Sequence, residues 1–308
     1  MLLGVDVGGT AVKIGTVSPK GELLSFETIP LWQEGTQNPM FETAMAEMTR
    51  VMENAGGSIT GIGISATGQV DPELGRVIGA EDSESAYIGS DFQVEAERRF
   101  HLPAAVLNDA DAALLGECAA GAAQGVRDVL MITIGTGIGG AFTVGGKPFL
   151  GHRGIAGELG HTALYQDGPR CVCGRRGCYQ NYASAGALVR RAERETGQSF
   201  RNARDVFETL DGGGASPALR QAFECWTEDI AAGLTSFVHL LNPEIVVIGG
   251  GVSEQPMLIE SLRGMVLRSL MPRFRETLRI EKAVLGNRAG VIGAVRFLLD
   301  RYPELFPT

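Results

Sequence analysis

Twice in this 308-residue chain an apolar run breaks on a glycine–threonine turn and resumes as a second apolar run. Leu2–Val7 leads through Gly8-Gly9-Thr10 into Ala11–Val17, and Val129–Ile134 leads through Gly135-Thr136-Gly137 into Ile138–Val144. Each reads as a β-hairpin with a glycine turn. The first is followed by a strand at Gly21–Thr28, a helix at Phe41–Glu53 with Met45, Met48, Val51 and Met52 on one side, a strand at Ile59–Ser65, a helix at Asp91–Phe100, a short strand at Ala104–Leu107 and an alanine-rich helix at Asp109–Ala120. The second is followed by helices near Ala183–Thr196, Arg204–Leu210 and Pro217–Leu241, a strand at Glu244–Ile248, a helix at Met257–Ser269, a strand at Arg279–Ala283 and a final helix at Ala289–Asp300. The architecture repeats although sequence identity between the halves is slight. Alternating strands and helices predict layered α/β domains, one over residues 1–120, completed by the C-terminal helix of 289–308, and one over 121–288, with a ligand cleft between them.

The turns carry the first chemistry. Asp6 ends the first strand, glycines without a Cβ follow, and Thr10 adds a hydroxyl. Such a turn lets backbone N–H groups approach phosphate oxygens as an anion-binding nest, and Asp6 is placed to hold a hydrated Mg²⁺. A plain hairpin turn is the alternative for either copy alone; two copies at corresponding places favour a shared polyphosphate. Gly249-Gly250-Gly251, behind the apolar strand Ile245–Ile248, offers bare backbone to an adenine and ribose, or is simply a strand-to-helix turn. Neither hairpin is a P-loop, since no Gly-Lys-Ser/Thr follows, and neither is a dinucleotide fingerprint, because a strand and not a helix comes next.

Leu107-Asn108-Asp109 ends a strand and starts a helix. Asn and Asp there are good helix caps. They also suit a general base, Asp109, with Asn108 orienting the hydroxyl it deprotonates; phosphoryl transfer asks the base mainly to position the nucleophile. Glu158 and His161, three apart, share one side of a helical turn.

Cys171, Cys173 and Cys178 lie in C-V-C-G-R-R-G-C, ten residues beyond His161. Three thiolates and one imidazole make a four-coordinate Zn²⁺ site, with Gly174 and Gly177 allowing the loop of 161–178 to close. Metal bound through one nitrogen would orient His161 and leave its other N–H for a sugar hydroxyl or a further acceptor. A disulfide would need an oxidising compartment, whereas the chain opens directly into a strand with no leader-like segment. Cys118 and Cys225 fall in helical apolar stretches and read as buried packing residues.

A net charge of −9 gives no basic face for a nucleic-acid backbone. The longest apolar run, Val129 to Phe142, is too short and too glycine-rich for a membrane span. A cytoplasmic globular protein is expected.

Together these motifs resemble the ROK family of bacterial sugar kinases and sugar-responsive repressors over nearly the whole chain. The residues that carry the resemblance are Asp6-Val7-Gly8-Gly9-Thr10, Asn108-Asp109, Gly135-Thr136-Gly137-Ile138-Gly139-Gly140, Glu158-Leu159-Gly160-His161 and the Cys171/Cys173/Cys178 loop. The resemblance implies a duplicated actin-like, hexokinase-type (ribonuclease H-like) α/β fold with two domains around a cleft. It implies ATP·Mg²⁺-dependent phosphorylation of a hexose, usually at the 6-hydroxyl, with Asp109 as catalytic base. Gly68, Asn108, Asp109, Glu158 and His161 would bind the sugar. Asp6, Gly8, Gly9, Thr10, Lys13, Gly135, Thr136, Gly137, Gly250 and Gly251 would bind the nucleotide. His161, Cys171, Cys173 and Cys178 would hold a structural zinc, in a homodimer or homotetramer. The partners are then a sugar and ATP, with no nucleic acid and no membrane. Two departures touch the substrate. Gln180 stands where the family usually has a Glu close to the sugar, and Gly68-Gln69-Val70-Asp71 is followed by Gly79-Ala80-Glu81-Asp82-Ser83 in place of a Pro-Asn pair. Ser65-Ala66-Thr67-Gly68-Gln69 looks closer to the β-glucoside kinase branch, so glucose, a β-glucoside and N-acetylmannosamine all stay open. A repressor would need a DNA-binding domain ahead of Asp6, and a catalytically inactive sensor would not need the intact Asp109 and turns.

Overall fold

The computed structural model describes residues 1–32, 36–80 and 86–306. In chain order its elements are β1 (Leu2–Val7), β2 (Ala11–Val17), β3 (Glu27–Pro30), α1 (Pro39–Asn54), β4 (Ile62–Ala66), β5 (Gln69–Asp71), β6 (Arg76–Gly79), α2 (Phe92–Phe100), β7 (Ala104–Asn108), α3 (Asp109–Ala120), β8 (Val129–Ile134), β9 (Ile138–Val144), β10 (Lys147–Pro148), α4 (Gln180–Ala183), α5 (Ala185–Thr196), α6 (Ala203–Asp211), α7 (Pro217–Leu241), β11 (Ile245–Gly249), α8 (Pro256–Ser269), α9 (Pro272–Arg275), β12 (Arg279–Lys282) and α10 (Ala289–Arg301). Two five-stranded sheets have the orders β3-β2-β1-β4-β7 and β10-β9-β8-β11-β12. In each, the opening hairpin is antiparallel and the next two strands run parallel to its first strand. The duplication inferred from the order of elements is therefore a duplication of strand topology.

The chain forms two compact units. Unit 1 is Met1–Gly125, Pro148–Ala156 and Val284–Thr308, and unit 2 is Val126–Lys147 and Gly157–Ala283. The segment Pro148–Ala156, which the sequence pattern places in the second domain, belongs to unit 1. Its cause is contact at a distance in sequence: a methyl group on Gly154 would lie 2.1 Å from Pro72 Cδ, so the segment lies flat on the β5–β6 hairpin. No helix among the described residues is long and apolar enough to cross a membrane.

Period-two alternation builds unit 1. Leu3, Val5 and Val7 of β1, Ile62, Ile64 and Ala66 of β4, and Ala104 and Val106 of β7 share one cluster with Met45 and Met48 of α1 and Phe92 and Ala96 of α2. The alternate positions Leu2, Ala105 and Leu107 share another with Ala112 and Leu115 of α3 and Val291, Val295 and Leu298 of α10. Glycines let α10 lie directly on the sheet. A methyl at Gly4 would sit 2.4 Å from Val291 O, and one at Gly63 2.2 Å from Ala294 O. Truncating a wholly buried side chain such as Met48 or Leu298 to alanine would cost about 2–5 kcal/mol through the cavity it leaves.

In unit 2 one cluster joins Leu130, Ile132 and Ile134 of β8 and Val246 and Ile248 of β11 to Leu188 of α5, Phe207 of α6 and Trp226 of α7. Helix α7 has signals at both ends: Ser216 caps Leu219 N–H, Pro217 is the first helical residue, and Asn242 ends it at φ 47°.

The strand expected at Gly21–Thr28 forms later, at Glu27–Pro30. Ser25 interrupts the ladder, because its hydroxyl takes the Thr16 N–H at 3.0 Å and regular pairing with β2 runs only from Glu27 to Pro30. The β5–β6 hairpin was not foreseen; strands of three and four residues show too little periodicity. Glu81-Asp82-Ser83, part of the second substrate-related departure, lie outside the described residues.

Candidate active site

The parallel strands β1, β4 and β7 deliver their C-terminal ends side by side, with Val7 beside Ala66 and Ala66 beside Asn108. The edge beyond such ends is where open α/β sheets bind ligands. Here it carries Gly8-Gly9-Thr10, Thr67-Gly68 and Asn108-Asp109. Gly8 N–H closes the first turn on Ala11 O at 3.1 Å, and among the described residues the N–H groups of Gly9 and Thr10 meet no acceptor. Neither glycine has positive φ, so their value lies in the missing side chains. Two adjacent unused donors at an exposed turn are what an anion nest requires.

Asp6 lies under this turn and is almost wholly buried. Lys13, its cross-strand partner in register, donates to Oδ2 at 2.7 Å, and Ser65, its neighbour on β4, donates to Oδ1 at 2.7 Å. A methyl at Gly290 would lie 2.7 Å from Asp6 Cγ, so α10 closes the remaining side. With Lys13 and Ser65 each on one oxygen, Asp6 suits a hydrated Mg²⁺ met through water and does not suit a bare chelated ion.

Asn108 performs both functions considered for it. Its Oδ1 caps α3 through Ala110 N–H at 2.8 Å, while its amide donates to Gly68 O at 2.8 Å and to Asp109 Oδ1 at 3.0 Å. Asp109 is the first residue of α3. Burial, and next the charge of Asp6, push its carboxyl up to about 6, against hydrogen bonds from Ala110 N–H, the Thr67 hydroxyl and the Asn108 amide. A carboxylate with that pKa is mostly ionised at neutral pH and still basic enough to take a proton, which is what a general base requires. Unit 1 thus gathers Asp6, Lys13, Gly8, Gly9, Thr10, Gly68, Asn108 and Asp109 along one edge.

Unit 2 repeats the turn. Gly135 N–H closes on Gly137 O at 3.0 Å, and the N–H groups of Thr136 and Gly137 meet no acceptor among the described residues. Gly135 O accepts from Ala185 N–H at 2.9 Å, which sets the start of α5 beside the turn. Gly250, at φ 86°, backs onto β8; a methyl there would strike Ile134 O at 2.3 Å. Gly251 faces open space.

Gln180 joins this turn to the cysteine loop. Its Oε1 accepts from Ile138 N–H at 3.5 Å, and its amide nitrogen donates to Cys171 Sγ at 3.5 Å. Methyl groups at Gly137 and Gly160 would sit 2.9 and 3.2 Å from Oε1, so both glycines make room for that side chain.

The ligand atoms of His161, Cys171, Cys173 and Cys178 all lie within 4.8 Å of one another. Cys171 Sγ is 3.6 Å from His161 Nδ1, and Cys173 Sγ is 3.5 Å from Cys178 Sγ. Tetrahedral zinc with metal–sulfur bonds of about 2.3 Å places sulfurs about 3.8 Å apart, so the four atoms fit the ion. Burial, and next the contact with Cys173, push the Cys178 thiol up; three thiolates this close coexist only around a cation. Gly177, at φ 71°, would drive a methyl to 1.6 Å from Tyr165 O, which explains that glycine. His161 Nε2 points at Glu158 Oε2, 4.0 Å away. The loop is tied down further by Tyr165, whose hydroxyl donates to Asp229 Oδ1 at 2.7 Å, while Arg191 holds the other oxygen at 2.5 Å. Cys118 and Cys225, expected to be buried, are partly exposed.

Sequence reasoning did not assign Ser65 and Thr67 to the carboxylate cluster, nor did it anticipate Gly290. The two hydroxyls follow from β4 lying parallel beside β1, a register that nothing local in the chain reveals. Gly290 is some 280 residues from Asp6 and is met only through α10.

Residues 2–301 match the ROK family, and the chain belongs to it. Its fold is the α/β actin-like kinase fold of that family. The glucokinase of Streptomyces coelicolor is 32% identical over 323 residues, covering 99% of this chain and 98% of that protein. A ROK family glucokinase from Streptomyces griseus, solved in complex with glucose and AMPPNP, is similar at TM-score 0.81 and 30% identity, covering 96% of this chain and 98% of that one. A ROK hexokinase from Thermus thermophilus is similar at TM-score 0.81 and 32% identity, covering 95% and 96%.

Proposed function

We propose that the chain is an ATP-dependent sugar kinase that transfers the γ-phosphoryl group of ATP to a hydroxyl of a hexose or hexoside, with a glucose-type substrate and its 6-hydroxyl favoured. One observation carries the reading. Asp109, with its carboxyl raised to about 6, stands on the same strand edge as the turn whose Gly9 and Thr10 N–H groups are unused. Base and phosphate donors are thereby held on one rigid scaffold, and positioning is most of what phosphoryl transfer needs. The similarity to a glucokinase complexed with glucose and AMPPNP supports the same assignment.

In this reading Asp109 accepts the proton of the sugar hydroxyl as its oxygen bonds to the γ-phosphorus. The bond to the β-phosphate oxygen breaks, and ADP leaves with that electron pair. Asn108 holds the carboxylate toward the sugar. The first turn would receive phosphate oxygens, and Asp6 would hold a hydrated Mg²⁺ that would neutralise their charge. Thr136, Gly137, Gly250 and Gly251 bind the rest of the nucleotide. Glu158 and His161 offer an acceptor and a donor to sugar hydroxyls. His161, Cys171, Cys173 and Cys178 would hold a structural zinc, which would fix the orientation of the imidazole.

The test is ADP production by purified protein with ATP, Mg²⁺ and a panel comprising glucose, mannose, N-acetylmannosamine, kanosamine and a β-glucoside. Sugar-dependent ADP formation with at least one is expected. ADP formation that no sugar stimulates would remove the proposal.

A further inference from the structure

The nucleotide reading leaves one cation beside the second turn without a task. Arg190 is exposed on α5, one helical turn beyond Gly186, and no carboxylate pairs with it among the described residues. Its guanidinium folds back over the start of the helix, donating to Asn181 O at 3.2 Å. The bare face of Gly186 makes this possible. A methyl there would lie 3.2 Å from one guanidinium nitrogen and 4.0 Å from Thr136 O. A single side-chain-sized gap therefore separates the guanidinium from the turn whose Thr136 and Gly137 N–H groups meet no acceptor. Ala185 N–H, bonded to Gly135 O, locks α5 and the turn together, so the gap is fixed by backbone.

From this we infer that Arg190 is a nucleotide-binding residue: its guanidinium and the N–H groups of Thr136 and Gly137 grip the phosphate chain of ATP from adjacent sides. The inference rests on the reading of the second turn as a phosphate site. A planar guanidinium presents paired donors that match two phosphate oxygens, which a single turn of backbone N–H groups does not supply. Gly186 is then a specificity feature in its own right, because any side chain there would fill the path between the cation and the turn.

The experiment is titration of Mg·AMPPNP into the full chain by calorimetry, paired with steady-state kinetics on a sugar that the wild type accepts. Arg190→Gln is expected to weaken Mg·AMPPNP binding about tenfold and to raise the KM for ATP similarly, with the KM for sugar changed less than twofold. Arg190→Lys, which keeps the charge but loses the paired donors, is expected to recover only part of the loss. A role confined to holding Asn181 O would instead lower the unfolding midpoint and leave both nucleotide constants alone. Gly186→Val, which displaces the guanidinium without removing it, should follow Arg190→Gln. Wild type and Arg190→Gln binding Mg·AMPPNP equally would overturn the inference and leave the kinase reading standing. Failure of the wild type to bind Mg·AMPPNP at all would overturn both.

Discussion

The two glycine turns stand on sheets of the same strand order and among the described residues each leave two neighbouring N–H groups unused, yet they differ in closure, Gly8 N–H on Ala11 O against Gly135 N–H on Gly137 O, and in charge. Below the first turn, Asp6 faces Lys13 across the hairpin. At the matching place below the second, Thr133 faces Gly139. The first turn shares its strand edge with Asp109, whereas the second has the neutral Gln180, the metal loop and the start of α5. The repeat keeps the backbone donors in both copies, whereas the carboxylates at the strand ends, Asp6 and Asp109, lie in one. Burial, and next the charge of Asp6, raise the cost of ionising Asp109, which suits it to the base role proposed for it.

That contrast can be broken at several strengths. The largest effect is expected from Asp109→Asn, which should lower kcat by about 10³-fold while barely moving the KM for ATP; a coupled ADP assay reads both. The same substitution should raise the unfolding midpoint by roughly 2–4 °C, since it removes a charge that burial and Asp6 oppose. The sign follows from linkage. The folded pKa lies above the ordinary 3.8, so this carboxyl's contribution to stability is complete below that value and is lost as pH rises through about 6. Next, the kcat/KM of the wild type should fall about tenfold for each pH unit below about 6 as Asp109 becomes protonated, and a profile flat down to pH 4.5 would reject it as the base. Zinc removal should act on unit 2 alone. Elemental analysis should find one zinc per chain, and Cys178→Ser should lower the unfolding midpoint by roughly 5–10 °C, with the protection of unit 1 amides in hydrogen exchange unchanged. The smallest effects separate the turns themselves. Gly137→Ala pushes a methyl to 2.9 Å from Gln180 Oε1 and should raise the KM for ATP a few-fold, whereas Gly8→Ala meets Ala11 O only at 3.4 Å and should change it less than twofold. The reverse order would mean that the second turn is not the crowded one.

Much of this organisation is legible in the chain because its signals are local. Helix α7 carries an N-cap, a first-position proline and a left-handed C-cap, and its bounds are those that the pattern predicts. The turns and the cysteine loop are contiguous motifs. What the chain hides depends on register and distance. Ser65 reaches Asp6 only because β4 lies beside β1, and Pro148–Ala156 joins unit 1 through Gly154 against Pro72. A strand reads from the chain at Gly21–Thr28, but the hydroxyl of Ser25 takes Thr16 N–H and regular pairing with β2 starts only at Glu27. Gln180, a departure near the sugar in the sequence pattern, spans the cysteine loop and the second turn, a contact that follows from tertiary packing of that loop.

Helix α10 lies on Gly4, Gly63 and Asp6 of the strands made first. Biosynthesis therefore runs in an unusual order: the ribosome finishes all of unit 2 before it releases the helix that seals the opening strands. A nascent chain stalled at residue 283 would hold a complete unit 2 and a unit 1 whose opening strands lack their cover, so premature termination would leave Asp6 open on the side that Gly290 closes.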